Sequence, residues 1–348
     1  MIEHVPLGRT GQSVSRVCLG TMNFGGRTGP DEARLILDRA ADCGVTFIDT
    51  ANVYGHDPAD FGVGRGRSEE IIGAWLASRR DDVVVATKVY FPMHDRPGAL
   101  GSSRQNVIRE CEASLRRLRT DFIDLYQLHH PSNDVPVDET LRALDDLVTA
   151  GKVRYVGTSS FAAWQIVESL WVSSDRRLVR VVSEQPVYNL LDRRVERELV
   201  PMALTYGVGV LTWSPLAGGV LAGRYERDAA PAPGSRHETF WAGRHEALSN
   251  DVFDVLARLG AVAADIGVEL HQLAHAWVLH QPGITTMIVG PRTVEHLEAA
   301  LAAASISLTP DVLDAIDDIV SPGRAILAQY GHDGLAWNAW GPHRYAWR

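Results

Sequence analysis

The chain has 348 residues, 45% of them hydrophobic, which is enough for a large buried core. Its formal charge of −9 is spread along the chain with no long basic tract, which argues against nucleic acid or an anionic membrane as a partner. No apolar run approaches the roughly 20 residues that cross a bilayer. Met1 to Gly8 also lacks the basic-then-apolar pattern of a signal peptide, so a cytoplasmic setting is expected.

Short apolar runs alternate with longer amphipathic stretches. A turn-rich opening, Leu7-Gly8-Arg9-Thr10-Gly11, precedes a first strand over 17–20 and a helix over 31–43 that Gly44 stops. A strand over 45–48 leads to a helix over 68–78, for which Ser68 is the expected N-cap ahead of Glu69 and Glu70. Then come a strand over 83–87, a helix over 103–118, a strand over 122–128, and a helix over 138–150 ended by Gly151. A strand over 153–157, a helix over 162–171, a strand over 179–184, a helix over 196–206 and a strand over 208–212 continue the alternation. An irregular stretch over 215–250, rich in Gly, Pro and Arg, has the length of a functional or mobile loop. Helices over 251–266 and 269–280, a strand over 286–289 and a helix over 294–304 follow.

Strands that alternate strictly with helices imply a parallel sheet. Eight such repeats in 348 residues fit a closed (β/α)8 TIM barrel in a single domain, with the barrel over about 15–304 and a tail over about 305–348. No GxGxxG stands between a strand and a helix; Gly62-Val63-Gly64-Arg65-Gly66 lies in a loop. An open dinucleotide-binding sheet is therefore disfavoured.

Four polar residues sit just past consecutive apolar runs: Asp49, Tyr54, Lys88 and His129. Barrel enzymes collect their reacting groups from the ends of several strands in this way. A phenol with a pKa of about 10 is a poor acid at neutral pH, and a nearby ammonium favours the phenolate. A carboxylate can hold that ammonium, and an imidazole can orient a carbonyl oxygen. The set suits delivery of a proton to a carbonyl while a hydride arrives from elsewhere. Singly, Asp49 could be a helix cap, Lys88 a solvated charge and Tyr54 a core ring; their joint placement favours the site.

Other candidates read more plainly. His271 and His275 share a helix face at a zinc-protease spacing, but Gln272 stands where that motif needs glutamate, so ordinary helix surface and no metal site are expected. Cys18, Cys43 and Cys111 are widely spaced and are expected as buried free thiols in a reducing compartment. The stretches over 56–67 and 91–102 are expected to rim the mouth of the barrel.

The ordered motifs closely resemble the aldo-keto reductases. The resemblance runs from about Leu7 to Leu301 and rests on Leu7-Gly8-Arg9-Thr10-Gly11, Leu19-Gly20-Thr21-Met22, Phe47-Ile48-Asp49-Thr50-Ala51-Asn52-Val53-Tyr54-Gly55 and Thr87-Lys88. It continues through Asp121-Phe122-Ile123-Asp124-Leu125-Tyr126-Gln127-Leu128-His129, Gly157-Thr158-Ser159-Ser160-Phe161, Glu184-Gln185-Pro186-Val187-Tyr188-Asn189, Trp213-Ser214-Pro215-Leu216-Ala217-Gly218-Gly219 and Ile288-Val289-Gly290-Pro291-Arg292.

The resemblance implies a barrel that binds NADPH or NADP⁺ in extended form, with NADH less favoured. It makes Tyr54 the general acid, Lys88 the group that lowers its pKa, Asp49 the partner of Lys88, and His129 the group that orients the carbonyl. It assigns Ser159, Ser160 and Gln185 to the nicotinamide carboxamide and Trp213 to stacking on the ring. Ser214, Pro215, Leu216, Gly218, Gly223 and Arg224 would follow the pyrophosphate. Gly20, Thr21, Met22, Asp49 and Gly290 would complete the cofactor wall, and Arg292 would meet the 2′-phosphate. Relatives often carry glutamine and asparagine where His296 and Ala300 stand here, and the methyl group of Ala300 forms no hydrogen bond to adenine. Tyr90 and His130 would line the substrate pocket. In this family the C-terminal segment often shapes that pocket too, which is one reading of Trp337, Trp340, Tyr345 and Trp347; the other is a cover over the barrel helices.

The expected activity is NADPH-dependent reduction of a small-molecule aldehyde or ketone. One alternative is a cofactor-binding partner subunit with little turnover, like the β subunits of potassium channels. Another is an aldolase with Lys88 as Schiff-base nucleophile, against which Asp49 and Tyr54 argue. Oligomeric state is not legible from the sequence.

Overall fold

A computed structural model of the chain describes residues 2–57, 60–227, 235 and 248–327. It opens on an antiparallel hairpin, β1 (His4–Pro6) with β2 (Ser13–Ser15). The turn between them is the Leu7–Gly11 motif. Gly8 has φ +56°, and a Cβ there would lie 2.7 Å from the Gly207 carbonyl oxygen, so the turn can dock only as glycine.

The hairpin closes the floor of a parallel barrel. Its strands are β3 (Val17–Gly20), β4 (Phe47–Asp49), β5 (Val84–Val89), β6 (Ile123–Leu128), β7 (Val153–Ser159), β8 (Val181–Gln185), β9 (Gly209–Thr212) and β10 (Ile284–Val289). They close in the order β10-β3-β4-β5-β6-β7-β8-β9, as the eight-repeat reading requires. The helices are α1 (Pro30–Asp42), α2 (Arg67–Leu76), α3 (Arg104–Leu118), α4 (Val137–Thr149), α5 (Ala163–Arg176), α6 (Leu199–Tyr206), α7 (Asn250–Asp265), α8 (Leu270–His280), α9 (Val294–Ala303) and α10 (Pro310–Ile319).

The two-residue strand period sorts the side chains. Ile48, Val85, Tyr126 and Leu128 face outward and join the large core beneath the helices. Phe47, Val84, Ala86 and Leu125 face inward and pack with Leu7, Val14, Cys18 and Leu211 into an apolar floor. One step further along the same inward faces stand Asp49, Lys88 and Gln127. The polar site therefore rests directly on a dry plug.

Several expectations are corrected. Ser68 is not the N-cap of α2: Gly66 is, with φ 90°, and Ser68 is a buried second helical residue. Its hydroxyl donates to the Thr21 carbonyl at 3.0 Å. The stretch expected as one helix over 196–206 divides into a 3-10 turn at Arg194–Glu196 and α6. Helix α5 runs on to Arg176, strand β10 starts earlier at Ile284, and α10, led by Pro310 in its first turn, is an added helix. Cys18 and Cys111 are buried free thiols as expected, whereas Cys43 is only half-buried. The aromatic cluster at Trp337, Trp340, Tyr345 and Trp347, and most of the 215–250 stretch, lie outside the described residues. No helix among the described residues is long and apolar enough to cross a membrane.

His275 is also corrected. It is not surface but 4% exposed, and its Nδ1 has no hydrogen-bond partner among the described residues. Burial, helped by His271, pulls its pKa down to about 3. The unfolded chain therefore binds a proton near pH 6.5 that the folded chain refuses. Stability should fall as pH drops from about 6.5 toward 3, by up to about 1.4 kcal/mol per pH unit from this residue alone. Denaturant melts at pH 7 and pH 5 should show His275→Gln losing less stability on acidification than the native chain; equal losses would remove His275 as the cause.

Candidate active site

The floor of the site is a buried ion pair. Lys88, fully buried, donates from Nζ to Asp49 Oδ1 at 2.5 Å and to the Thr50 carbonyl at 2.9 Å. The other carboxylate oxygen, Oδ2, accepts from Gln185 Nε2 at 2.8 Å and Gln127 Nε2 at 3.1 Å. Two amides and one ammonium thus fix Asp49 from three strands. Gln127 is a site residue that sequence reading did not single out, although it lies two positions before His129 on the same inward face.

Tyr54 stands over this pair. Its Oη is 3.4 Å from Lys88 Nζ, and the ammonium lies 4.8 Å from the ring centroid. The turn that presents it is tightly held. Gly66 and Ser68, at the start of α2, donate their backbone N–H groups to the Tyr54 carbonyl. Gly55 has φ +95°, and a Cβ there would lie 2.7 Å from Arg67 Cβ.

The electrostatics follow from burial and proximity. Burial alone would depress the Lys88 pKa, but the Asp49 carboxylate and then Tyr54 outweigh it, so the net shift is upward and the ammonium is kept. His129 meets Tyr54 edge-on, with ring centroids 5.7 Å apart. Burial first, then Lys88 and His130, holds its pKa well below the usual value. A neutral imidazole retains one N–H to donate.

A second wall joins the first through Gln185. While its side chain reaches Asp49, its backbone carbonyl accepts from Ser159 Oγ at 3.0 Å, Ser160 N at 3.2 Å and Trp213 Nε1 at 3.1 Å. Beyond half-buried Trp213 the backbone enters the left-handed region repeatedly, at Ser214 (φ 59°), Ala217 (φ 48°), Gly218 (φ 66°), Gly219 (φ 103°) and Gly223 (φ 67°). Pro215 is buried in this turn and Leu216 half-buried.

The far end of the wall is cationic. Arg224 Nη2 lies 3.2 Å from His296 Nε2, and among the described residues no carboxylate pairs with Arg224. Burial, then Arg224 and Arg292, lowers the His296 pKa, which marks a concentration of positive charge. The Arg292 and Gly290 carbonyls are tied to Thr28 Oγ1 at 3.2 Å and Asn23 Nδ2 at 3.0 Å. Ala300 is buried on α9. Gly20 packs so tightly that a Cβ would lie 2.7 Å from Ile288 Cγ2. Thr21 is buried with its hydroxyl on the Asp49 carbonyl, and Met22 is half-buried. Trp213, the glycine-rich turn beyond it and the basic cluster of Arg224, Arg292 and His296 follow one another along this wall.

The open side is lined by rings. Phe91 lies 5.1 Å from His129 and 5.2 Å from His130, Tyr90 lies 5.3 Å from His130, and Phe61 lies 5.9 Å from Phe91. Arg65 clasps the two loops, with its guanidinium 6.0 Å from the Phe61 ring centroid and bonded to the Pro92 carbonyl. Phe61 and Phe91 fall in the two stretches expected to rim the mouth, but neither ring was singled out from the sequence.

A sequence profile described as the Aldo/keto reductase family matches residues 16–321. The chain belongs to that family. Among its relatives, the "uncharacterized oxidoreductase YrpG" of Bacillus subtilis is 41% identical over 325 residues, 91% of this chain and 96% of the relative. A "probable voltage-gated potassium channel subunit beta" of Oryza sativa is 36% identical, with 92% of this chain and 97% of the relative covered. The "versiconal hemiacetal acetate reductase" of Aspergillus parasiticus is 31% identical, with 92% and 98% covered. As an aldo/keto reductase the chain is an oxidoreductase that works with a nicotinamide cofactor on a small molecule.

Proposed function

We propose that this aldo/keto reductase is an NADPH-dependent carbonyl reductase that converts an aldehyde or ketone to an alcohol, with Tyr54 as proton donor. The observation that carries the reading is the buried Lys88–Asp49 pair, 3.4 Å beneath the Tyr54 hydroxyl. When bound, the cofactor would supply hydride to the carbonyl carbon. As charge develops on the carbonyl oxygen, Tyr54 gives it a proton, and the Lys88 ammonium stabilises the phenolate that remains. Asp49 keeps that ammonium in place, and Gln127 and Gln185 keep Asp49 in place. Neutral His129 donates its N–H to the same oxygen and fixes its direction. Proton delivery of this kind contributes typically 10²–10⁴-fold in rate.

For the cofactor, Ser159, Ser160, Gln185 and Trp213 would hold the nicotinamide end, Ser214 to Arg224 the pyrophosphate, and Arg224, Arg292 and His296 a 2′-phosphate. That last cluster favours NADPH over NADH. A reducing, cytoplasmic setting accords with the free thiols at Cys18, Cys43 and Cys111.

The test is cofactor oxidation against a panel of aldehydes and ketones, with NADPH and NADH run in parallel. Turnover with NADPH on any of them supports the reading. Tight NADPH binding with no turnover would instead favour a cofactor-binding partner subunit, the second reading, which the Oryza sativa relative supports at 36% identity.

The ring-lined mouth makes small aromatic carbonyls the best-fitting substrates. Edge-on and offset ring contacts add roughly 0.5–1.5 kcal/mol beyond area burial. Phe91→Leu should therefore reduce the preference in kcat/KM for benzaldehyde over cyclohexanecarbaldehyde by roughly 2- to 10-fold. An unchanged ratio would take Phe91 out of substrate selection.

A further inference from the structure

Strand β8 carries a carboxyl group that the proposed chemistry does not use. Glu184 is fully buried, and no arginine or lysine pairs with it among the described residues. Its Oε2 accepts from Thr158 Oγ1 at 2.6 Å and its Oε1 accepts from the Phe161 backbone N–H at 3.0 Å. Those two donors bracket Ser159 and Ser160. Within the bracket, Ser160 sits at φ 61°, a conformation a non-glycine residue keeps only where its surroundings impose it. The neighbouring Gln185 carbonyl holds the middle of the same turn through Ser159 Oγ and Ser160 N. Two consecutive residues of β8 thus grip one turn, Glu184 at its ends and Gln185 at its centre.

We infer that Glu184 is a positioning residue for the nicotinamide end of the cofactor, fixing the Ser159–Ser160 turn through Thr158 and Phe161 without touching cofactor or substrate. The inference rests on the NADPH reading above. A satisfied core acid with no bearing on the site is the rival account, and the two differ in what they predict.

Burial pushes the Glu184 pKa up to about 8; in the neutral form the carboxyl's own O–H turns to Thr158 Oγ1, while Oε1 still accepts from the Phe161 N–H. A neutral amide of the same shape can replace it. In Glu184→Gln the amide oxygen accepts from Phe161 N, and the amide nitrogen donates to Thr158 Oγ1, which itself reaches the Ser183 carbonyl at 3.2 Å. Glu184→Ala leaves the Phe161 N–H without a partner in a dry place and Thr158 Oγ1 with the Ser183 carbonyl alone, which frees the turn to relax.

The experiment compares binding of whole NADPH with binding of 2′,5′-ADP, which has the adenosine and phosphates but no nicotinamide. Both are measured by titration of the full chain, at pH 7, without substrate. Glu184→Ala should weaken NADPH by about 10-fold and leave 2′,5′-ADP within about 2-fold of native. Glu184→Gln should match the native protein for both. Thr158→Val, which removes one donor only, should shift NADPH in the same direction by a smaller factor, and it serves if Glu184→Ala does not fold. In turnover, KM for NADPH should rise while kcat stays within about 3-fold. Equal weakening of NADPH and 2′,5′-ADP, no weakening of either, or a Gln variant as impaired as the Ala variant would overturn the inference. Native protein that binds neither ligand would remove the cofactor reading itself, and this inference with it.

Discussion

Lys88→Met is expected to be the most damaging single substitution in the barrel. It removes one half of a buried ion pair and leaves Asp49, 3% exposed, with two amides and no cation. Breaking such a pair on one side destabilises by about 3–5 kcal/mol. For a chain of this size that corresponds to a loss in Tm on the order of 10 °C. Asp49→Asn combined with Lys88→Met should recover part of the loss, because the uncompensated carboxylate is gone. The folded pKa of Lys88 lies above its ordinary 10.5. Its contribution is therefore complete below the unfolded value and is lost only as pH rises through the folded one. Thermal melts at pH 6 and pH 8 should accordingly show the same deficit for Lys88→Met. A variant as stable as the native chain would mean that the pair is not buried as described.

Tyr54→Phe is expected to have the largest effect on activity with the least effect on the fold. The ring is kept, so its edge contact with His129 and its place over the Lys88 ammonium survive. What is lost is the hydroxyl, with its proton and its 3.4 Å contact to Lys88 Nζ. Steady-state kcat for carbonyl reduction should fall by at least about 10²-fold, with the Kd for NADPH within about 2-fold of native. A fall in kcat matched by an equal weakening of NADPH would point to a binding role for the hydroxyl instead.

The barrel was legible because parallel strands are buried on both faces and read as apolar runs between amphipathic stretches. That Asp49, Tyr54, Lys88 and His129 come together was legible for a related reason. Asp49, Lys88 and His129 end such runs with groups that have no place in a dry core, and at the C-terminal edge of a barrel that is where chemistry sits. The two-residue period would also have placed Gln127 beside them, since it shares the inward face with Leu125.

What was missed depends on contacts distant in sequence or on very short elements. The strands of the opening hairpin have only three residues each, too few to show alternation. Ser68 carries the chemistry of an N-cap, but the left-handed turn at Gly66 starts the helix earlier and buries Ser68 against Thr21. Thr309-Pro310 is an ordinary helix-opening pair, and α10 begins there. Its Asp317 binds buried Arg193 at 2.6 Å, a contact 124 residues apart in sequence. Glu184 looked like one letter of a motif. Its role emerges only when Thr158 and Phe161 are brought to it from β7 and the turn beyond.

The central claim is that Tyr54, over Lys88, delivers the proton in the chemical step. The most direct measurement is a rapid-mixing single turnover, with native and Tyr54→Phe protein each saturated with NADPH and then mixed with excess benzaldehyde. The predicted result is that oxidation of the bound cofactor slows by at least about 10²-fold in Tyr54→Phe. Oxidation at the native rate in that variant would contradict it.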